Sequence, residues 1–316
     1  MSSNCVKSLI NFIFGTFIIV YSGNSQSVEP PFVVVLGIAQ DGGYPQPGCQ
    51  KICCQRAWKN SNLKRHVSCL AIIDPQSQER WMIDATPDFR EQLHELNQIF
   101  PVDLSPGLSG ILLTHGHIGH YSGLVHLGRE VMGADDVPIY TMPKMADFLR
   151  QNGPWNLLIE LNNIHLVENE NKREIQLNTR ISVTPIDVPH RGEYTETTGY
   201  VIVGPQKKIL FIPDIDKWSH WSETVESYIR NVDVAYLDAT FYDNSELPGR
   251  DMSEIPHPFV VESMNRFKTL PPENKTKIRF LHLNHTNPAL NSSSAAYSNI
   301  INNGYHLAKE GEKFDL

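Results

Sequence analysis

Short apolar runs rich in β-branched residues alternate along the chain with stretches whose apolar positions recur every three or four residues. The first run, PFVVVLGIAQ (31–40), ends in the glycine-rich DGGYPQPG and reads as a strand entering a loop. SCLAIIDP (68–75) and ERWMIDA (79–85) read as two further strands with a turn between them. In TPDFREQLHELNQIF (86–100), Phe89, Leu93, Leu96, Ile99 and Phe100 share one face of an amphipathic helix, with Thr86 as its cap and Pro87 at its start. GILLTH (110–115) is a buried strand, and a helix is expected through YSGLVHLGREVM (121–132). PIYTM and PKMADFLRQN repeat strand then helix. The second half keeps the rhythm: a strand in RISVTPIDVPH, a hairpin in TGYVIVGPQKKILFIPD turning at GPQK, a helix in WSETVESYIRN, a strand in VDVAYLDATF, a helix in PFVVESMNRF and a strand in IRFLHLNHT. No linker or low-complexity stretch divides this succession, so one α/β domain is expected over 28–316, with sheets in the middle and helices outside.

Residues 1–27 follow a different pattern. A lysine-bearing, acid-free start precedes SLINFIFGTFIIVYS, and small polar residues follow. Those are the three regions of a secretory signal, and the apolar part is short for a bilayer span, which takes about 20 residues. Cleavage within 22–27 is expected, leaving a periplasmic or secreted protein with no stable membrane span. Four cysteines would remain, Cys49, Cys53, Cys54 and Cys69. An even number in an oxidising compartment permits disulfides, and the crowding in GCQKICC equally suits thiolate ligation of a structural zinc. The 316 residues are 41% hydrophobic and 20% charged, enough to bury a full core, and the net charge of −8 with no basic cluster argues against a nucleic-acid partner.

Polar residues recur where the apolar runs end: Asp84, His115, His190, Asp214, Asp238 and His285. Ligand sites in α/β architectures gather at strand ends, where loops converge. After GILLTH the chain continues as THGHIGHYSG, in which His115 and His117 alternate and His120 follows a helical turn later. Such a loop can set three imidazoles around one ion, and imidazole is the commonest ligand of zinc and iron.

THGHIGH resembles the HxHxDH signature of the metallo-β-lactamase superfamily, with Gly119 where the aspartate stands. The resemblance implies an αββα sandwich with its metal at one edge. It implies a first ion held by His115, His117, His190 and Asp214, with Asp84 bracing the ligands from behind. A second site would draw on His120, His285 and the shared Asp214. LGIAQDGGYPQPGC, LDATFYDNSEL, the HPF at His257 and HLNHTNPAL are similar to blocks of the coenzyme PQQ (pyrroloquinoline quinone) biosynthesis protein B family, which places His257 at the substrate pocket. Family members carry a cysteine cluster that holds a structural zinc. Without a carboxylate at 119, one ion is expected to bind firmly and the second site to be weak or empty. Asp41 and Asp238 are the candidates to do the missing group's work. Zinc is the expected ion and ferrous iron the alternative. The expected activity is hydrolysis of a small-molecule or peptide substrate by a metal-bound hydroxide. The alternatives are an iron-dependent oxygenase or transport protein for a peptide or quinone precursor, as the family resemblance implies, and a metal-dependent binding protein without turnover.

Overall fold

The apolar runs become the inner strands of two seven-stranded sheets. The computed structural model describes residues 29–103 and 105–316, so the leader pattern over 1–27 lies outside the described residues. The strands of the first half are β1 (Phe32–Gly37), β2 (Cys69–Asp74), β3 (Glu79–Ile83), β4 (Gly110–Leu112), β5 (Val137–Thr141) and β6 (Ile164–Glu168). Those of the second half are β7 (Ile175–Gln176), β8 (Ser182–Asp187), β9 (Thr198–Val203), β10 (Lys208–Ile212), β11 (Val234–Asp238), β12 (Ile278–Leu281) and β13 (His306–Leu307). The last strand, β14 (Lys313–Asp315), crosses back to the first sheet, whose order is β14-β1-β2-β3-β4-β5-β6. The second sheet runs β13-β12-β11-β10-β9-β8-β7.

Both faces of the first sheet are covered, which is why its strands read as unbroken apolar runs. Val33, Val35, Leu70, Ile72, Trp81 and Ile83 face the second sheet and build the main core with Val183, Ile202, Leu210 and Phe280. The alternate residues Val34, Leu36, Ala71, Ile73 and Met82 pack outward against helices. The helix Phe89–Ile99 seats Phe89, Leu93 and Leu96 there and leaves His94 exposed, as its spacing predicts. It begins at Phe89; Thr86 accepts a hydrogen bond from Asp88 N (3.0 Å) and so caps the turn before the helix. On the other side the helices Val225–Asn231 and Val260–Phe267 bury Val225, Ile229, Met264 and Phe267. The sequence of layers is helix, sheet, sheet, helix: the αββα sandwich.

The stretch 121–132 departs from its helical expectation. It forms a short helix, Ile118–Tyr121, and then a 3-10 turn, Ser122–Leu127. Only glycine fits this path at 123, since a Cβ there would lie 2.2 Å from the Thr86 carbonyl oxygen.

Strand direction positions the site. β3 and β4 are parallel, and β1 reaches β3 through two antiparallel pairings, so all three point the same way. By the same reasoning β8, β10, β11 and β12 share a direction. The residues just past these strand ends meet at one edge of the sandwich.

Candidate metal centre

Four ligand atoms converge there. His115 Nε2 lies 2.9 Å from His117 Nδ1, and His190 Nε2 lies 3.2 Å from the same atom. Asp214 Oδ2 is 3.3 Å from His115 Nε2, 3.2 Å from His190 Nε2 and 3.9 Å from His117 Nδ1. A tetrahedral zinc with bonds near 2.0–2.1 Å separates its ligand atoms by about 3.3 Å, so this set fits such an ion. The far nitrogen of each ring is fixed by a partner that leaves the inner nitrogen its lone pair. His115 Nδ1 meets Thr114 Oγ1 at 3.0 Å, His190 Nδ1 meets Asp216 Oδ1 at 3.0 Å, and His117 Nε2 meets Glu193 Oε2 at 3.2 Å.

Asp84 sits behind this set, as expected. Its backbone adopts φ 71°, a left-handed conformation that side chains other than glycine rarely take. The cost is offset by the contacts the conformation allows. Its carboxylate accepts hydrogen bonds from Thr114 N (2.8 Å) and Thr114 Oγ1 (3.0 Å), and meets His120 Nδ1 at 2.6 Å. His120 is thereby turned so that Nε2 points away from Asp84, toward a second cluster.

That second cluster differs from its sequence expectation. His282, not His285, joins His120, because β12 ends at Leu281 and His282 is the first residue beyond it. His282 also adopts a left-handed backbone, φ 62°. Its Nδ1 meets Thr240 Oγ1 at 3.0 Å, and that hydroxyl donates to Asp238 Oδ1 at 2.7 Å, which leaves Nε2 facing the cluster. His285 lies instead with Cys49, Cys53 and Cys54. Asp41 completes the second group: its Oδ1 is 3.3 Å from His120 Nε2 and 3.7 Å from His282 Nε2. A Cβ built on Gly119 would lie 2.2 Å from that same oxygen.

Asp238 is not the substitute carboxylate. It is fully buried and its oxygens are engaged, Oδ1 by Thr240 N (2.8 Å) and Oγ1, Oδ2 by Ile215 N (3.1 Å) and His257 Nδ1 (2.9 Å). It positions His257 and, through Thr240, His282. His257 is buried at the floor of the site, with Nδ1 3.1 Å from Asp214 Oδ1 but aimed at Asp238.

The electrostatics call for a cation. Burial opposes ionisation of Asp214 and Asp41, yet the imidazoles around each hold its carboxyl well below the usual range. Burial holds His115 well below the ordinary imidazole range, which suits a neutral ligand. Burial also opposes charge on His120, but Asp84 and Asp41 lift it to about 10. Buried carboxylates need compensating positive charge, which a divalent ion can provide in place of ring protons.

Cys49 and Cys53 have sulfurs 3.7 Å apart, too far for a disulfide and near enough to share an ion. With Cys54 and His285 they make a four-ligand group suited to zinc. Cys69 does not join it: it is buried on β2, its sulfur near the Asp84 carbonyl oxygen (3.6 Å). All four of these thiols are free in this structure, and none is paired in a disulfide among the described residues. His282, Asp216, Glu193, Thr114 and Thr240 were not picked out by sequence reasoning. The signal available for His282 was its place directly after the apolar run IRFL.

Residues 79–279 match the family model described as a beta-lactamase superfamily domain. The chain is similar to the coenzyme PQQ synthesis protein B of Xanthomonas oryzae pv. oryzae, 25% identical over 312 residues that cover 90% of this chain and 99% of that one. The protein of the same name from Methylorubrum extorquens is also 25% identical, with the same coverage. Among solved structures, Zn(2+)-bound PqqB from Methylobacterium extorquens superposes with a TM-score of 0.76 at 23% identity, covering 90% of this chain and 100% of that one. A diphosphatase from the PhnP family superposes at 0.61 with 22% identity, covering 91% and 98%.

Proposed function

Because the chain belongs to the beta-lactamase superfamily, we propose that it is a metal-dependent hydrolase whose His115, His117, His190 and Asp214 hold a divalent ion, zinc first. The observation that carries this reading is the convergence of four ligand atoms with each imidazole fixed from behind. An ion so held supplies Lewis acidity and lowers the pKa of a water to about 7. The chain's own residues do the positioning. Asp84 and Asp216 set ring orientation from the interior, and Glu193 does so from the solvent side. Ile118 and Tyr194, each 65% exposed, stand next in sequence to His117 and Glu193 and offer exposed apolar surface beside these residues. That surface supports an organic substrate, a small molecule or peptide.

A second reading draws on the similarity to the coenzyme PQQ synthesis proteins: an iron-dependent oxygenase acting in cofactor synthesis. Imidazole and carboxylate suit ferrous iron as well as zinc. Metal content of protein purified without added metal separates the two. Zinc, with ester or phosphodiester hydrolysis that disappears in His117→Ala, supports the hydrolase. Predominant iron with oxygen uptake overturns it.

The pattern over 1–27 supports an exported protein, although no helix among the described residues is long and apolar enough to cross a membrane. N-terminal sequencing of the mature chain tests export; a retained Met1 overturns it.

A further inference from the structure

We propose that Asp41 supplies the carboxylate absent at position 119, so that the centre holds a second divalent ion between Asp41, His120 and His282, beside Asp214. The inference rests on the metal-centre reading above and extends it. Asp41 Oδ1, His120 Nε2, His282 Nε2 and Asp214 Oδ1 are buried and make no well-formed hydrogen bond. Asp41 Oδ1, His120 Nε2 and His282 Nε2 face one another, Oδ1 lying 3.3 Å and 3.7 Å from the two nitrogens, and a shared cation accounts for three ligand atoms turned toward one space. All four are ligand atoms of the right kind: two carboxylate oxygens and two imidazole nitrogens whose rings are fixed from the far side by Asp84 and Thr240. Asp214 presents Oδ2 to the first set, its Oδ1 lies 3.1 Å from His257 Nδ1, and it also comes within ligand distance of His282, so it borders both sets. The ligand charge is what the sequence reading lacked. Two neutral imidazoles with one shared carboxylate hold a divalent ion weakly; an added carboxylate from the loop after β1 changes that balance.

The geometry explains the glycine as well. Any side chain at 119 meets Asp41, its Cβ falling 2.2 Å from Oδ1 and 2.7 Å from Cα. Residues 41 and 119 therefore compete for one space, and the carboxylate enters it from Asp41 while 119 stays bare.

Zinc per chain, counted by mass spectrometry after dialysis, tests this in the full-length protein. The cysteine cluster contributes equally to every variant, so differences report on this centre. Asp41→Asn is expected to retain one zinc fewer than the wild type. Gly119→Ala removes no ligand residue but displaces Asp41, and should lose the same ion. The double variant Asp41→Gly with Gly119→Asp delivers the carboxylate from the other side of the shared space and should regain it. That rescue also guards against a single variant that merely misfolds. Equal zinc content in wild type and Asp41→Asn overturns the proposal, as does a folded double variant that does not recover the ion. Failure of the underlying reading looks different: His117→Ala would then hold as much zinc as the wild type.

Discussion

Asp84 shows how much one side chain can organise. It touches no position of the ion itself, yet it fixes Thr114 and His120 and tolerates a left-handed backbone to do so. Asp84→Asn replaces an acceptor with a group that can turn an N–H toward His120. Zinc affinity is expected to fall about 10–100-fold with the fold retained, measured by competition with a chromophoric chelator. Asp216→Asn should weaken affinity by a similar factor through His190. At this scale the sequence was legible where ligands cluster locally or end a clear strand. His115, His117, His120, His190 and Asp214 all reach the edge where they were expected. His285 was misplaced because HLNH offers two histidines three residues apart, and where β12 ends decides between them. Asp41 was only one of two candidates, since its approach to Gly119 depends on how two loops from different strands meet in space.

The strand end is the unit that delivers these groups. Each ligand loop follows a strand held by its neighbours, so core packing is converted into ligand placement. The helix Phe89–Ile99, which braces the first sheet, begins five residues beyond Asp84. Leu93→Ala in that helix should cost about 2–4 kcal/mol in urea unfolding. The C-terminal loop carries a separate, pH-dependent contribution. Glu310 accepts a hydrogen bond from His66 N at 2.6 Å, and burial pushes its carboxyl up to about 7. The folded chain then holds this proton more tightly than the unfolded chain, whose carboxyl titrates near about 4.3. The resulting stability is fully present below that lower value and is lost as pH rises through about 7. Glu310→Gln keeps an acceptor for His66 and should reduce the loss between about pH 5 and pH 8 by on the order of 2 kcal/mol. Elements were mostly legible because a covered sheet needs continuous apolar strands. The exception, 121–132, leaves the helix where Gly123 passes too close to the Thr86 carbonyl for any side chain, an approach that no local pattern records.

At the scale of the whole molecule, the alternation of strands and helices was enough to announce two sheets with helices outside, because each apolar face requires a cover. It did not announce that β14 returns to pair with β1, a contact between the two ends of the domain. Removal of bound metal is expected to destabilise the whole fold. An ion held at a hundredfold excess over its dissociation constant contributes about 3 kcal/mol. Exhaustive chelation should therefore lower the melting temperature by about 5–10 °C in calorimetry, and restoring zinc should reverse it. One further consequence follows from where the ligands originate. Asp41, Asp84, His115, His117 and His120 follow strands of the first sheet, whereas His190, Asp214, Asp238 and His282 end or follow strands of the second. An ion bound between them would be a rivet through two plates, and the metal-binding edge would become the edge along which the layers are least free to slide or part.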